Sequence, residues 1–188
     1  MTTRMNEWRN RVVAVAVGIV VAAGIGSAAW ADTAAEINAG VTSARDACAK
    51  RVAGCESAAT KAQGMLVFPE ITEAGVGIGG SYGEGALIVG DKTVGYYSTS
   101  SGSIGLQLGA QNYSQIIMFM TPQALEDFQH SSGWQAGADA KVTLIDKGNS
   151  SDIDTLVNKQ PVIAFVFGQQ GLMGGLSVEG AKITKIER

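Results

Sequence analysis

Residues 64–92 read GMLVFPEITEAGVGIGGSYGEGALIVGDK, and they decide the fold. Met65-Leu66-Val67-Phe68 is a short apolar, β-favouring run that Pro69 should stop. Val76 and Ile78 then alternate with Gly75, Gly77 and Gly79. Alternate glycines strip one face of a strand, so that another backbone or a bulky side chain can come close. Ala86-Leu87-Ile88-Val89 ends at Gly90-Asp91, a turn signal. The stretch also contains G-x-G-x-x-G at Gly75–Gly80. A dinucleotide site needs that motif to follow a strand, open a helix and precede an acidic residue some distance on. Ser81-Tyr82-Gly83-Glu84-Gly85 cannot open a helix, so the glycines belong to β geometry.

Working outward toward the C-terminus, Val94–Thr99, Ile104–Ala110 and Ser114–Met120 read as further strands, and their short spacing predicts a meander of hairpins. Thr121-Pro122 starts a helix, with Thr121 as cap, Pro122 in the first turn and Leu125 and Phe128 as an i, i+3 apolar pair. A strand is expected at Ala140–Ile145. Polar residues 146–160 read as a loop with room for one helical turn. Three closing strands follow at Val162–Phe167, Leu172–Val178 and Ala181–Ile186. Toward the N-terminus, residues 33–63 are alanine-rich and charged. Ala34, Ile37, Val41, Ala44 and Cys48 recur at steps of three and four, the spacing of an amphipathic helix, with Gly40 inside it. A second short helix is expected over Glu56–Lys61. No linker divides 64–188. The fold class is α+β: N-terminal helices on a large, mostly antiparallel, glycine-rich sheet that can curl into a barrel.

The first 31 residues read as a secretory signal. Arg4, Arg9 and Arg11 precede an apolar stretch from Val12 to Ile25, and Ala29-Trp30-Ala31 offers a small-x-small cleavage pattern. The expected organisation is a leader over 1–31 and one domain over 32–188, with 32–63 helical and 64–188 β-rich. The localisation to be expected is periplasmic or secreted after cleavage near Ala31.

That compartment makes a disulfide between Cys48 and Cys55, the only two cysteines, the default. Seven residues of straight helix would separate their Cα atoms by about 10.5 Å, beyond the roughly 7 Å a bridge can span. A bridge therefore requires a break, and Gly54 is the place for it. The alternative is two small thiols buried in a continuous helix.

The whole chain has 188 residues, is 46% apolar and carries 25 glycines. It is too apolar for a disordered chain and long enough for a real core. Removing Arg4, Arg9, Arg11 and Glu7 from 14 basic and 17 acidic residues leaves 11 and 16. That mild acidity argues against nucleic-acid binding.

No catalytic constellation emerges, and no cofactor is implied. His130, the single histidine, stands beside Ser131-Ser132 at a helix end, without a G-x-S-x-G elbow. Two cysteines and one histidine make no recognisable metal spacing. The most basic part of the mature chain is the helical leader, with Arg45, Lys50, Arg51 and Lys61. Gathered on one face they could meet anionic lipid head groups. Interrupted by Asp46 and Glu56, they equally suit an ordinary amphipathic helix whose charges face water.

Several ordered stretches resemble the SYLF domain family. They are Gly64–Pro69, Ala74–Gly85 with its Gly-Gly-Ser-Tyr-Gly-Glu-Gly, Gly95-Tyr96-Tyr97-Ser98, Gly102–Gln111, Ala124–Phe128, Gly137–Ala140 and Gly171–Gly180. The resemblance covers about 36–188. It implies binding rather than catalysis: a lipid-binding module, with the helical leader and basic residues touching anionic phospholipid or phosphoinositide head groups. An export signal turns the expected partner toward the membrane surface of the envelope. The other expectation is a structural or protein-interaction domain that packs its glycine-stripped sheet on a protein partner.

Overall fold

The structure is a computed structural model and describes residues 32–145, 153–171 and 178–188. The expected signal over 1–31 lies outside the described residues, as does nearly all of the strand expected over Leu172–Val178. Two helices, α1 (Ala34–Arg51) and α2 (Cys55–Lys61), lead into β1 (Gly64–Val89) and β2 (Lys92–Phe119). Then come α3 (Pro122–His130), the short strands β3 (Trp134–Gln135) and β4 (Thr143–Ile145), α4 (Ile153–Lys159), β5 (Val162–Gly171) and β6 (Lys182–Ile186). One strongly curled, half-barrel sheet runs in the order β3-β6-β2-β5-β4, with β1 also paired to β2. Every pairing is antiparallel except β4 with β5.

The expected meander is in fact one long hairpin. β1 does not stop at Pro69 and pairs with β2 from Gly64↔Phe119 to Val89↔Lys92. Pro69 is tolerated because the register shifts between Phe68 and Ile71, so its missing N–H falls in a bulge. Its carbonyl accepts a hydrogen bond from Ser114 Oγ at 2.6 Å. The alternating glycines around Gly77 hold a second irregularity. Val76 faces Leu108 while Ile78 faces Ile104, and Gly77 sits between them at φ 74°. There the hairpin folds over: a Cβ on Gly75 would strike the Cα of Gly79.

Folding the hairpin brings β1 against itself. A Cβ on Gly83 would lie 2.6 Å from the Glu70 carbonyl oxygen, and one on Gly85 would collide with the carbonyl of Val67 and the ring of Phe68. This is the close backbone approach expected of a glycine-stripped strand face, at Gly83 and Gly85 and with the strand's own first half as the neighbour.

Two cores follow, one on each face of this layer. The inner core joins Leu66, Phe68, Leu87, Ile117, Phe119 and Ile183 to Phe128 of α3 and to Trp134. Phe128 stacks on Tyr97 and Phe119, with ring centroids 5.0 and 4.8 Å apart, and meets Trp134 edge-on at 5.6 Å. The outer core packs Ile37, Val41, Ala44 and Cys48 of α1 over Met65, Val67, Ile88, Ile116, Met118 and Phe165. With both faces covered, Gly64–Phe68, Gly83–Ile88 and Gln115–Phe119 are buried at every position. That is why Met65–Phe68 is an unbroken apolar run rather than an alternating one.

Candidate functional site

The helical leader is built largely as its spacing predicts. Thr33 caps α1 in a capping box, its Oγ1 accepting from the Glu36 N–H while Glu36 accepts from the Thr33 N–H at 2.8 Å. Ile37, Val41, Ala44 and Cys48 form the buried stripe. Gly40 has its reason in the sheet: a Cβ there would come within 2.9 Å of the Pro69 ring, so α1 can cross the bulge closely. The helix ends at Arg51, and Gly54, at φ 77°, reverses the chain into α2. This break brings the Cα atoms of Cys48 and Cys55 to 5.9 Å, and the two are joined in a disulfide. Both cysteines are buried in the outer core.

The four leader cations are not gathered on one face. Arg45 and Arg51 stand about 60° to either side of the buried stripe, and Lys50 points away from it. Arg45 rims a cleft of about 370 Å³ between α1 and α2, with Glu56 and Thr60 beside it and Met65, Ile116 and Met118 among its lining. Arg51 lines a separate cleft with Ser114, Phe167 and Gln170. Lys50 lies 3.7 Å from Asp46 on the exposed side of α1, and Lys61 occupies the exposed last turn of α2. The spread follows from helix geometry: a cluster in sequence becomes a ring in space.

Sequence reasoning missed two features of the sheet. The first is a part-buried ionic contact. Arg188 donates to Glu84 through Nε at 3.1 Å and also through Nη2, and Tyr82 donates to the same carboxylate at 2.7 Å. Burial alone would raise the Glu84 carboxyl, but the hydrogen bonds from Arg188 and Tyr82 overcome it and hold the group below its ordinary value. Burial first, and then the bond to Glu84, push the Tyr82 hydroxyl up to about 12. A separation of 104 residues between Glu84 and Arg188 left no local signal. Glu73 is likewise turned inward and accepts from Gln111 Nε2 at 2.9 Å.

The second feature is the fold-over corner of the hairpin. Val76 and Ile78 are 77% and 74% exposed there, although both are large and apolar.

His130 is exposed at the end of α3, with Nδ1 3.0 Å from the Glu126 carbonyl oxygen. Among the described residues no group of three His, Cys, Asp or Glu is placed to hold a metal ion.

Among curated proteins none matches this chain. Residues 100–187 do match a family model, that of Ysc84, described as a Las17-binding protein actin regulator. The match takes in the later of the ordered motifs read above, Gly102–Gln111, Ala124–Phe128, Gly137–Ala140 and Gly171–Gly180, and is consistent with a domain of the SYLF family.

Proposed function

We propose that this chain is a non-enzymatic lipid-binding module of the bacterial envelope, exported and then bound to anionic phospholipid through its helical leader. The observation that carries this reading is Arg45 at the rim of a cleft whose floor is apolar. A guanidinium beside buried Met65, Ile116 and Met118 suits an amphiphile with a phosphate head and a hydrocarbon body. Arg51, Lys50 and Lys61 lie outside that cleft, elsewhere on α1 and α2, and add only longer-range attraction, on the order of 1 kcal/mol for each cation near an anionic surface. The family match supports a domain of the lipid-binding or actin-regulator type.

Flotation of the full chain with phosphatidylglycerol-containing and with phosphatidylcholine vesicles tests the reading. Preferential binding to the anionic vesicles, reduced by Arg45→Ser, is expected; no binding to either vesicle rejects it.

A second reading is a protein-interaction domain, favoured by the description of the matched family as a binding protein. Cross-linking in intact cells would support it by capturing one defined envelope partner. A monodisperse monomer with no cross-linked partner would count against it.

A further inference from the structure

We propose that the hairpin corner Val76-Gly77-Ile78 is a wedge that inserts into the bilayer, a step that rests on the lipid-binding reading proposed above. Isolated exposed apolar side chains are common and mean little. Here the two most exposed large apolar side chains among the described residues stand two positions apart at one corner. The corner projects: a Cβ on Gly77 would have nothing within 4 Å, and the backbone doubles back so that Gly75 meets Gly79.

The neighbouring sequence carries no charge that would oppose insertion. Residues 74–83 and 93–110, which include both strands of the corner, contain no Asp, Glu, Lys, Arg or His. A charge carried into the membrane by such a tip would be costly. The carboxylates that bound the first stretch, Glu73 and Glu84, are both buried and hydrogen-bonded, so neither meets the lipid.

The shape also selects the occupant. A stable protein interface needs roughly 800 Å² from each partner, more than a three-residue tip offers. A bilayer interface accepts an apolar protrusion about 5–10 Å deep and needs no complementary pocket.

Because the described cysteines are both in the disulfide, Ile78→Cys supplies a thiol that can be labelled selectively with an environment-sensitive fluorophore in the full chain. Asp91→Cys, at the hairpin turn, serves as the control. With phosphatidylglycerol–phosphatidylethanolamine vesicles the label at 78 should brighten several-fold and be quenched by brominated acyl chains, while the label at 91 should not change. The double variant Val76→Ser, Ile78→Ser should keep the wild-type melting temperature and lower vesicle partition about tenfold. That loss should persist at high salt, where head-group attraction is screened. A chain that floats with vesicles while the label at 78 stays unchanged overturns the wedge and leaves the head-group reading standing. Absence of flotation overturns both. A label response that grows with protein concentration without vesicles overturns the wedge in favour of a second copy at the corner.

Discussion

A methyl group added at Gly85 would be driven into the Val67 carbonyl and the Phe68 ring, where the hairpin closes on itself. Backbone cannot retreat as a flexible side chain can, so Gly85→Ala should cost at least about 2 kcal/mol of stability. Gly102 lies in the partner strand with open space around its missing Cβ. Gly102→Ala should be neutral or stabilise by up to about 1 kcal/mol, since it removes chain entropy from the unfolded state. Urea denaturation of the two variants separates glycines that give room from those that only occupy a strand. The alternation of glycine with other residues announced that some backbone would approach, but not which one, because the neighbour comes from a fold-over that no local pattern encodes. The Glu84–Arg188 contact was hidden for the same reason. Glu84 is held below its ordinary value when folded, so it stabilises the fold above the unfolded value near 4.5, and that contribution is lost as pH falls through the folded value. Arg188→Ala should therefore lower stability near neutral pH. The difference from wild type should shrink as pH drops below about 4, which melting curves across an acid series would read.

The leader was legible as an element because its signals are local: a stripe at Ile37, Val41, Ala44 and Cys48, and a break forced by the reach of a disulfide. What its sequence could not convey is direction, since Arg45 and Arg51 point to opposite flanks of the same helix. The bridge ties the last buried turn of α1 to the first residue of α2, so the two helices cover the outer core as a unit. Closing so small a loop should contribute about 2–3 kcal/mol. Cys55→Ser is expected to lower the melting temperature under non-reducing conditions, and dithiothreitol should bring wild type down to the variant's value. Equal melting temperatures for oxidised wild type and variant would show that packing alone holds the helices. The hairpin was harder to read as an element. Pro69 and the Gly75–Gly80 run carry the chemistry of strand ends and turns, yet bulges absorb both without ending the strand.

At the scale of the whole molecule, one folded hairpin is shared by two cores, and this predicts where the structure opens first. Gly64–Phe68, Gly83–Ile88, Gln115–Phe119 and Val162–Phe165 are buried throughout, with the inner core on one face and the helical leader on the other. Their amides can reach water only when the helices lift and the hairpin unfolds together, so they should exchange at the rate of global unfolding. The corner has the opposite setting: Val76, Gly77 and Ile78 are exposed, and no ladder pairing joins the register on either side of the shift between Val76 and Ile78. Amides of residues 75–79 should exchange fastest within the hairpin, by local opening that leaves both cores intact. Hydrogen exchange followed by mass spectrometry reads this directly. Protection at 75–79 equal to that at 64–68 would mean that the hairpin behaves as one rigid ladder. A fast corner between two slow arms is also the arrangement an inserting wedge requires, since the tip can adjust to a bilayer while the buried strands hold its position.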